Sequence, residues 1–370
     1  MIHTSRSKIV APFYCPRFRY LKYHWEEKGL QRTSTKGPTL AGLMIHLANN
    51  LILSKGIEEG VKLALEAYEV DFNHNIPHSA VVLGEQKTMI ESVARAFNRV
   101  RFPKMLDGYQ VLDTEKELTL QLSEEIIYHS RMDVVLYSPE LDLIKIVDYK
   151  PCSYPSVSWV KKWERDPQVL AYIEVAESIY QKRAEGMQIE GYVKGKRRFD
   201  KGVFGGEVKI QNSPLCYVYV RDGEISATYQ RAKGWEKKPI LEVFGSVKEY
   251  IEDFLSVEDV ESLFFAPVPP IAPNPTRLAS WRRQTIANEL RIEADVTTVQ
   301  FFKNYGALED SLDKHFPQNF DACYKYGEDY PCEMEPICFN GQVFAEPLES
   351  GLFEERIDHH EIDGAEADGD

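Results

Sequence analysis

The sequence predicts an α/β fold in which a short mixed β-sheet is flanked by helices. Three observations carry that expectation. Residues 131–150 read RMDVVLYSPELDLIKIVDYK, two β-branched apolar runs around a Ser138-Pro139-Glu140 turn, which is a hairpin signature. Asp166-Pro167 follows closely, pairing an N-cap residue with a proline suited to the first helical turn. Upstream of residue 101, apolar residues recur at helical rather than strand spacing.

The elements follow in order. Residues 11–28 form a helix carrying Phe18, Leu21, Tyr23 and Trp25, and 31–37 are a polar loop. Gly37-Pro38 opens a second helix to about residue 53, with Leu40, Leu43, Leu47 and Leu51 as its apolar stripe. Gly42 and His46 lie on that helix, one turn apart. Helices follow over 57–70 and 80–101, with a loop containing His and Pro over 73–79. Residues 110–112 and 117–122 are short strands ahead of the hairpin 131–137 and 143–150. The Asp-Pro helix covers 167–185. Residues 189–194, 215–220 and 225–229 alternate as strands, the last two joined by the turn Arg221-Asp222-Gly223-Glu224. Helices fill 239–256 and 278–292. Between them, Pro267, Pro269, Pro270, Pro273 and Pro275 make 266–276 a stiff linker. Residues 315–340 are the last ordered motif, and the acid-rich segment 345–370 is a disordered tail. One domain over 1–344 is therefore expected.

The 370 residues are 43% hydrophobic, enough for a sizeable core. No run of 18 apolar residues exists, which excludes a helical membrane span. Residues 1–8 lack a signal-peptide core, so an intracellular, cytoplasmic location is expected, with thiols kept reduced. The net charge of −14 at first argues against a nucleic-acid partner, but residues 345–370 alone hold ten Asp/Glu and one Arg, net −9, leaving −5 elsewhere. Basic clusters at Lys161-Lys162, 194–198, 231–238 and Arg282-Arg283 are available for phosphate contacts.

Within the hairpin, side chains alternate between faces, so Asp148 and Lys150 emerge together and Asp133 comes beside them. Neighbouring carboxylates repel unless a cation lies between them. On the following helix, Gln168 and Tyr172 are four apart and share a face. Taken singly, each of these residues is ordinary. In order, they form Gly42-x3-His46, Asp133, Asp148-x-Lys150 and Gln168-x3-Tyr172. That series resembles the PD-(D/E)XK nuclease superfamily, in its RecB/AddB-like branch of CRISPR-associated and phage exonucleases. The resemblance covers roughly residues 11–50, 107–175 and 315–340, with Ser130 standing where the family often has glycine.

The resemblance implies a restriction-endonuclease-like core and a metal-dependent DNA exonuclease, acting on single-stranded or frayed DNA ends in replication, recombination or repair. The setting would be phage or prokaryotic, in a bacterium or its host cell. It implies Mg²⁺ or Mn²⁺ held by His46, Asp133, Asp148 and the Tyr149 carbonyl, with Lys150 beside the attacked phosphate and Gln168 and Tyr172 in support. Glu115 or Glu117 is a further acidic ligand, and the sequence does not choose between them. DNA is the implied partner, with a helicase or recombination protein beside it. The alternatives are an inactive DNA-end binding module and an endonuclease of the same fold.

Cys15 lies in Cys-Pro-Arg-Phe-Arg-Tyr, while Cys323, Cys332 and Cys338 cluster near the other end, with eight and five residues between them. One N-terminal and three C-terminal cysteines resemble the iron–sulfur staple of AddB-type nucleases, although the family's C-x2-C is absent. Four thiolates suit a 4Fe–4S cluster; structural Zn²⁺ is the alternative. Cys152 and Cys216 read as structural thiols. Phe13, Tyr14, Phe18 and Tyr20 around the first cysteine are candidates for stacking on unpaired bases, and equally for core.

Overall fold

The computed structural model describes residues 1–33, 37–75, 80–152, 156–193, 197–199, 209–211, 215–228, 230, 232–323 and 332–357. The chain divides into two compact units. A terminal unit gathers Met1–Thr35, Thr119–His129 and Ala279–Asp370, and a central unit gathers Lys36–Leu118 and Ser130–Leu278. The division has a physical cause: each unit buries its own apolar cluster. Tyr20, Leu21 and Trp25 pack with Ile292, Phe316 and Phe353 in the terminal unit. In the central unit, Ile45, Phe97, Val134, Val147 and Phe264 belong to one larger cluster.

The terminal unit begins with β1 (Ile2–Ser5), α1 (Arg6–Tyr14), α2 (Pro16–Tyr23) and β2 (Leu30–Arg32). The single helix expected over 11–28 is broken at Cys15, which is extended at φ −158°, ψ 118°. The ring of Pro16 disfavours helical geometry in the residue before it.

The central unit opens with three helices, α3 (Gly37–Lys55), α4 (Ile57–Asn75) and α5 (Ala80–Ala96). The buried stripe of α3 is Leu40, Ala41, Met44, Ile45, Ala48 and Ile52, whereas Leu43 is 55% exposed. The leucine series thus misplaced the buried face, which the small alanines define by letting a neighbour approach. Gly60 on α4 serves the same contact, since a Cβ there would lie 2.7 Å from the Ile52 nitrogen. Part of the loop expected over 73–79 continues α4, and residues 76–79 lie outside the described set. A π-helical turn at Phe97–Arg101 leads into α6 (Phe102–Leu106).

Residues 110–112 and 117–122 are not separate strands. They belong to one strand, β3 (Gln110–Ser123), interrupted by a left-handed residue, Glu115 at φ 50°. β3 pairs with β4 (Ile126–Ser138), and β4 is antiparallel to β5 (Leu143–Cys152) with Val134 opposite Val147. One step further in that register, Asp133 faces Asp148. The start of β4 also pairs in parallel with β1, Ile126 beside Ile2.

After α7 (Val157–Trp163), α8 (Pro167–Tyr180) starts where expected, with Asp166 Oδ1 accepting the Gln168 N–H at 2.9 Å. It stops five residues short of the expected end, where Gln181 turns left-handed at φ 52°. β6 (Arg183–Val193) then runs parallel to β5, as a strand reached through a crossover helix does. β7 (Arg197–Phe199) and β8 (Lys209–Gln211) form a small antiparallel pair. β9 (Tyr217–Arg221), β10 (Glu224–Ser226) and β11 (Glu236–Pro239) make a three-stranded sheet, with Asp222 and Gly223 left-handed in its hairpin turn. α9 (Ile240–Phe244) and α10 (Val257–Phe264) follow.

The proline-rich 266–276 contains an edge strand, β12 (Val268–Ile271), antiparallel to β6, instead of being only a linker. Proline is tolerated on an edge because one side of that strand needs no donors. Gly186 of β6 lets the backbones meet, since a Cβ would sit 2.5 Å from the Ile271 carbonyl oxygen.

α11 (Pro275–Lys303) leads into the C-terminal segment of α12 (Leu308–His315), α13 (Phe320–Cys323), α14 (Glu335–Phe339), α15 (Gly341–Ala345) and β13 (Phe353–Glu355). β13 pairs antiparallel with β2, Glu355 opposite Leu30. The disordered tail expected from residue 345 is therefore corrected for 345–357. Phe353, 2% exposed, gives this acidic stretch an apolar anchor. Residues 358–370 lie outside the described set. Among the described residues, no helix is long and apolar enough to cross a membrane.

Candidate metal centre

Three elements of the central unit bring His46 of α3, Glu115 of β3 and Asp133 of β4 to one point. One ligand atom from each lies within 4.8 Å of the other two. His46 Nδ1 stands 3.4 Å from Asp133 Oδ2. The same oxygen accepts the Tyr149 backbone N–H at 2.5 Å, which fixes the carboxylate across the hairpin. The rings of Tyr149 and Tyr192 meet the His46 ring edge-on, with centroids 5.7 and 6.3 Å away. Between the two candidate glutamates, it is Glu115 that joins the cluster. Its left-handed backbone is a conformation non-glycine residues adopt rarely, and such strain gathers at functional sites.

Asp148 lies beside this group, on the neighbouring strand. It forms an ion pair with Lys150. Gln168 Nε2 donates to its other oxygen at 3.0 Å. Gln168 therefore orients Asp148 rather than contacting Lys150 directly. The Tyr172 hydroxyl donates to the Arg131 carbonyl at 2.6 Å, so its role here is to anchor the strand that carries Asp133. Tyr149 enters the site through its N–H and its ring.

The electrostatics are those of crowded, largely buried acids. Burial pushes the Asp148 carboxyl up to about 6, Lys150 pulls it back and Asp133 adds to the rise. Glu115 is also raised, by burial and by Asp133, against the pull of Arg131. Asp133 itself is held below the usual range; burial opposes this, but His46, Lys150 and the Tyr149 N–H together prevail. His46 is raised, because Asp133 outweighs the effect of burial. Two carboxylates and an imidazole fit a hard divalent cation, with the imidazole better suited to Mn²⁺ than to Mg²⁺.

Arg131 was not singled out by the sequence reading. Its Nε donates to Glu115 Oε2 at 2.9 Å, and its side chain is 58% exposed. The signal was present: a residue two positions before Asp133 shares its strand face.

The four cysteines all belong to the terminal unit. Burial raises the Cys323, Cys332 and Cys338 thiols, and the other members of the set raise them further. Cys15 Sγ accepts the Asn319 N–H at 3.4 Å, and the Cys332 N–H donates to the Cys323 carbonyl at 2.7 Å. Among the described residues, no three thiols lie mutually within 4.8 Å. Cys152 and Cys216 belong to the central unit, and Cys216 Sγ donates to the Glu85 carbonyl at 3.2 Å.

Of the aromatic residues near Cys15, Phe13 is 75% exposed while Tyr20 is core at 2%. Among the basic clusters, Arg282 is spent on the Gln121 and Leu122 carbonyls. Residues 194–196 and 231 lie outside the described set. No protein-family model and no curated protein matches this chain.

Proposed function

We propose that this protein is a Mg²⁺- or Mn²⁺-dependent deoxyribonuclease with a restriction-endonuclease-like core in its central unit, cutting single-stranded or frayed DNA ends exonucleolytically. The observation that carries this reading is the convergence of His46, Glu115 and Asp133 beside the Asp148–Lys150 pair. A divalent cation held by the first three would neutralise charge at the attacked phosphate and lower the pKa of the attacking water.

The remaining work falls to the chain itself. Lys150, with 19% of its side chain exposed, presents its ammonium to a phosphate and stabilises the charge that develops there. Asp148 holds that ammonium in place, and Gln168 holds Asp148. Tyr149 keeps the Asp133 carboxylate aimed at the cluster. In the terminal unit, Cys15, Cys323, Cys332 and Cys338 would hold a 4Fe–4S cluster that ties the chain ends together and adds its binding free energy to folding.

The test is a time course on matched linear and circular single strands, internally labelled, with Mg²⁺ or Mn²⁺, beside an RNA of the same sequence. Progressive loss of linear DNA, abolished by His46→Ala and by Lys150→Ala, is expected. Equal rates on both DNA forms would make the enzyme an endonuclease. Binding to ends without cleavage would make it an inert end-binding module. Preference for the RNA would overturn the substrate assignment.

A further inference from the structure

We propose that Arg131 is a phosphate-binding residue held in reserve on Glu115, and that it is released to the DNA backbone when a divalent cation takes that carboxylate. The proposal rests on the metal-dependent reading above and adds a specific exchange to it.

Glu115 has two claimants. Its carboxylate closes the cluster with His46 and Asp133, and it also accepts from Arg131 Nε at 2.9 Å. A divalent cation bound by three ligands competes well against one ion pair whose arginine is 58% exposed, because exposed pairs are weak. Losing Glu115 does not strand Arg131, which remains solvated. Its carbonyl stays fixed by the Tyr172 hydroxyl at 2.6 Å, so the side chain is freed while the strand is not.

Where the freed group would act follows from its position. Arg131 lies two residues before Asp133 on the same face of β4, at the rim of the cluster. Among the described residues, the Nε pair with Glu115 is what ties its guanidinium to a protein acceptor, so the whole planar group becomes available once that carboxylate is taken. A guanidinium offers donors in a planar fork that matches two phosphate oxygens, which a lysine does not. The alternative ligand, a protein carboxylate, is disfavoured by the acids already crowded there. A phosphodiester approaching the metal is the acceptor this position fits.

The exchange predicts effects of opposite sign from one substitution. Arg131→Gln removes a competitor for Glu115, so Mn²⁺ alone, titrated calorimetrically without DNA, should bind about threefold tighter. The same change removes one phosphate contact. Single-stranded oligothymidylate binding at saturating Mn²⁺ should therefore weaken, and its log–log salt slope should shrink by about 0.7. The DNA measurement is made in a Lys150→Ala background so that the strand survives. Arg131→Lys should restore the slope but bind the strand more weakly than arginine. A merely structural role for Arg131 would weaken both metal and DNA binding. Unchanged Mn²⁺ affinity, or an unchanged salt slope, overturns the exchange. His46→Ala separates the two levels of the argument. If wild type binds Mn²⁺ through His46 and Arg131→Gln moves nothing, the exchange alone fails. If wild type takes up no Mn²⁺, the metal reading fails and this proposal with it.

Discussion

Asp148→Asn tests the electrostatic account of the site without any appeal to catalysis. Asp148 is 1% exposed, and its carboxyl is raised from 3.8 to about 6, chiefly by burial. A group whose folded pKa lies above its unfolded value contributes stability below the unfolded value and loses it as pH rises through the folded one. The metal-free protein should therefore lose stability between about pH 4 and pH 6, and the gap between 3.8 and about 6 is worth about 3 kcal/mol. In a unit of this size that is a swing of roughly 6–12 °C in melting temperature. Asparagine keeps an acceptor for Gln168 Nε2 and cannot titrate, so the variant should lack the swing. Thermal melts of both proteins in EDTA, at intervals from pH 4 to pH 7.5, give the comparison. The difference between them should change by that amount and then level off. A difference that stays constant across the series would mean that Asp148 titrates as in water, and the picture of a crowded, buried acid pair would be wrong.

Three further outcomes are expected. Mn²⁺ should raise the melting temperature more at pH 8 than at pH 6, because His46, whose pKa Asp133 raises, must shed its proton to bind; equal increments in scanning calorimetry would remove His46 from the ligand set. Cys15→Ser should lower the melting temperature more than Cys216→Ser and should cost visible absorbance and iron in anaerobically purified protein, whereas equal melts with no iron in wild type would dispose of the cluster. Phe353→Ala should destabilise the terminal unit by about 3–5 kcal/mol, since the ring is 2% exposed within that unit's core; a loss under 1 kcal/mol by denaturant titration would return 345–357 to the status of a loose tail.

Much of the site was legible because its elements are local. The hairpin bearing Asp133, Asp148 and Lys150 lies within twenty residues, and its turn chemistry sets the register. Asp166-Pro167 marked the helix that delivers Gln168. The choice of Glu115 over Glu117 was not legible, because strand alternation gives both the same face; it is the left-handed backbone at 115 that decides, and glutamate carries no sequence signal for such a conformation. The partner of Tyr172 was hidden for a similar reason, since it is a backbone carbonyl and any residue supplies one. The edge strand at 268–271 was obscured by prolines that argue against strands in general but not against edges. β13 was obscured by acidic composition, which one buried phenylalanine overrides.

The order in which the ribosome delivers this chain has a consequence of its own. The terminal unit is built from three separated stretches, and the last begins at Ala279. The central unit is complete once Leu278 has left the exit tunnel, so it can fold while synthesis continues. The first 35 residues cannot. Tyr20, Leu21 and Leu30 must wait for apolar partners that are translated last. At about 5–20 residues per second, the remaining segment takes on the order of 5–20 s to appear. For that interval the N-terminal helices are a sticky, unpartnered surface on an otherwise finished domain. A nascent chain stalled at the point where Leu278 has just cleared the exit tunnel should therefore be protease-resistant across the central unit and cleavable within its first helices, with chaperones bound there.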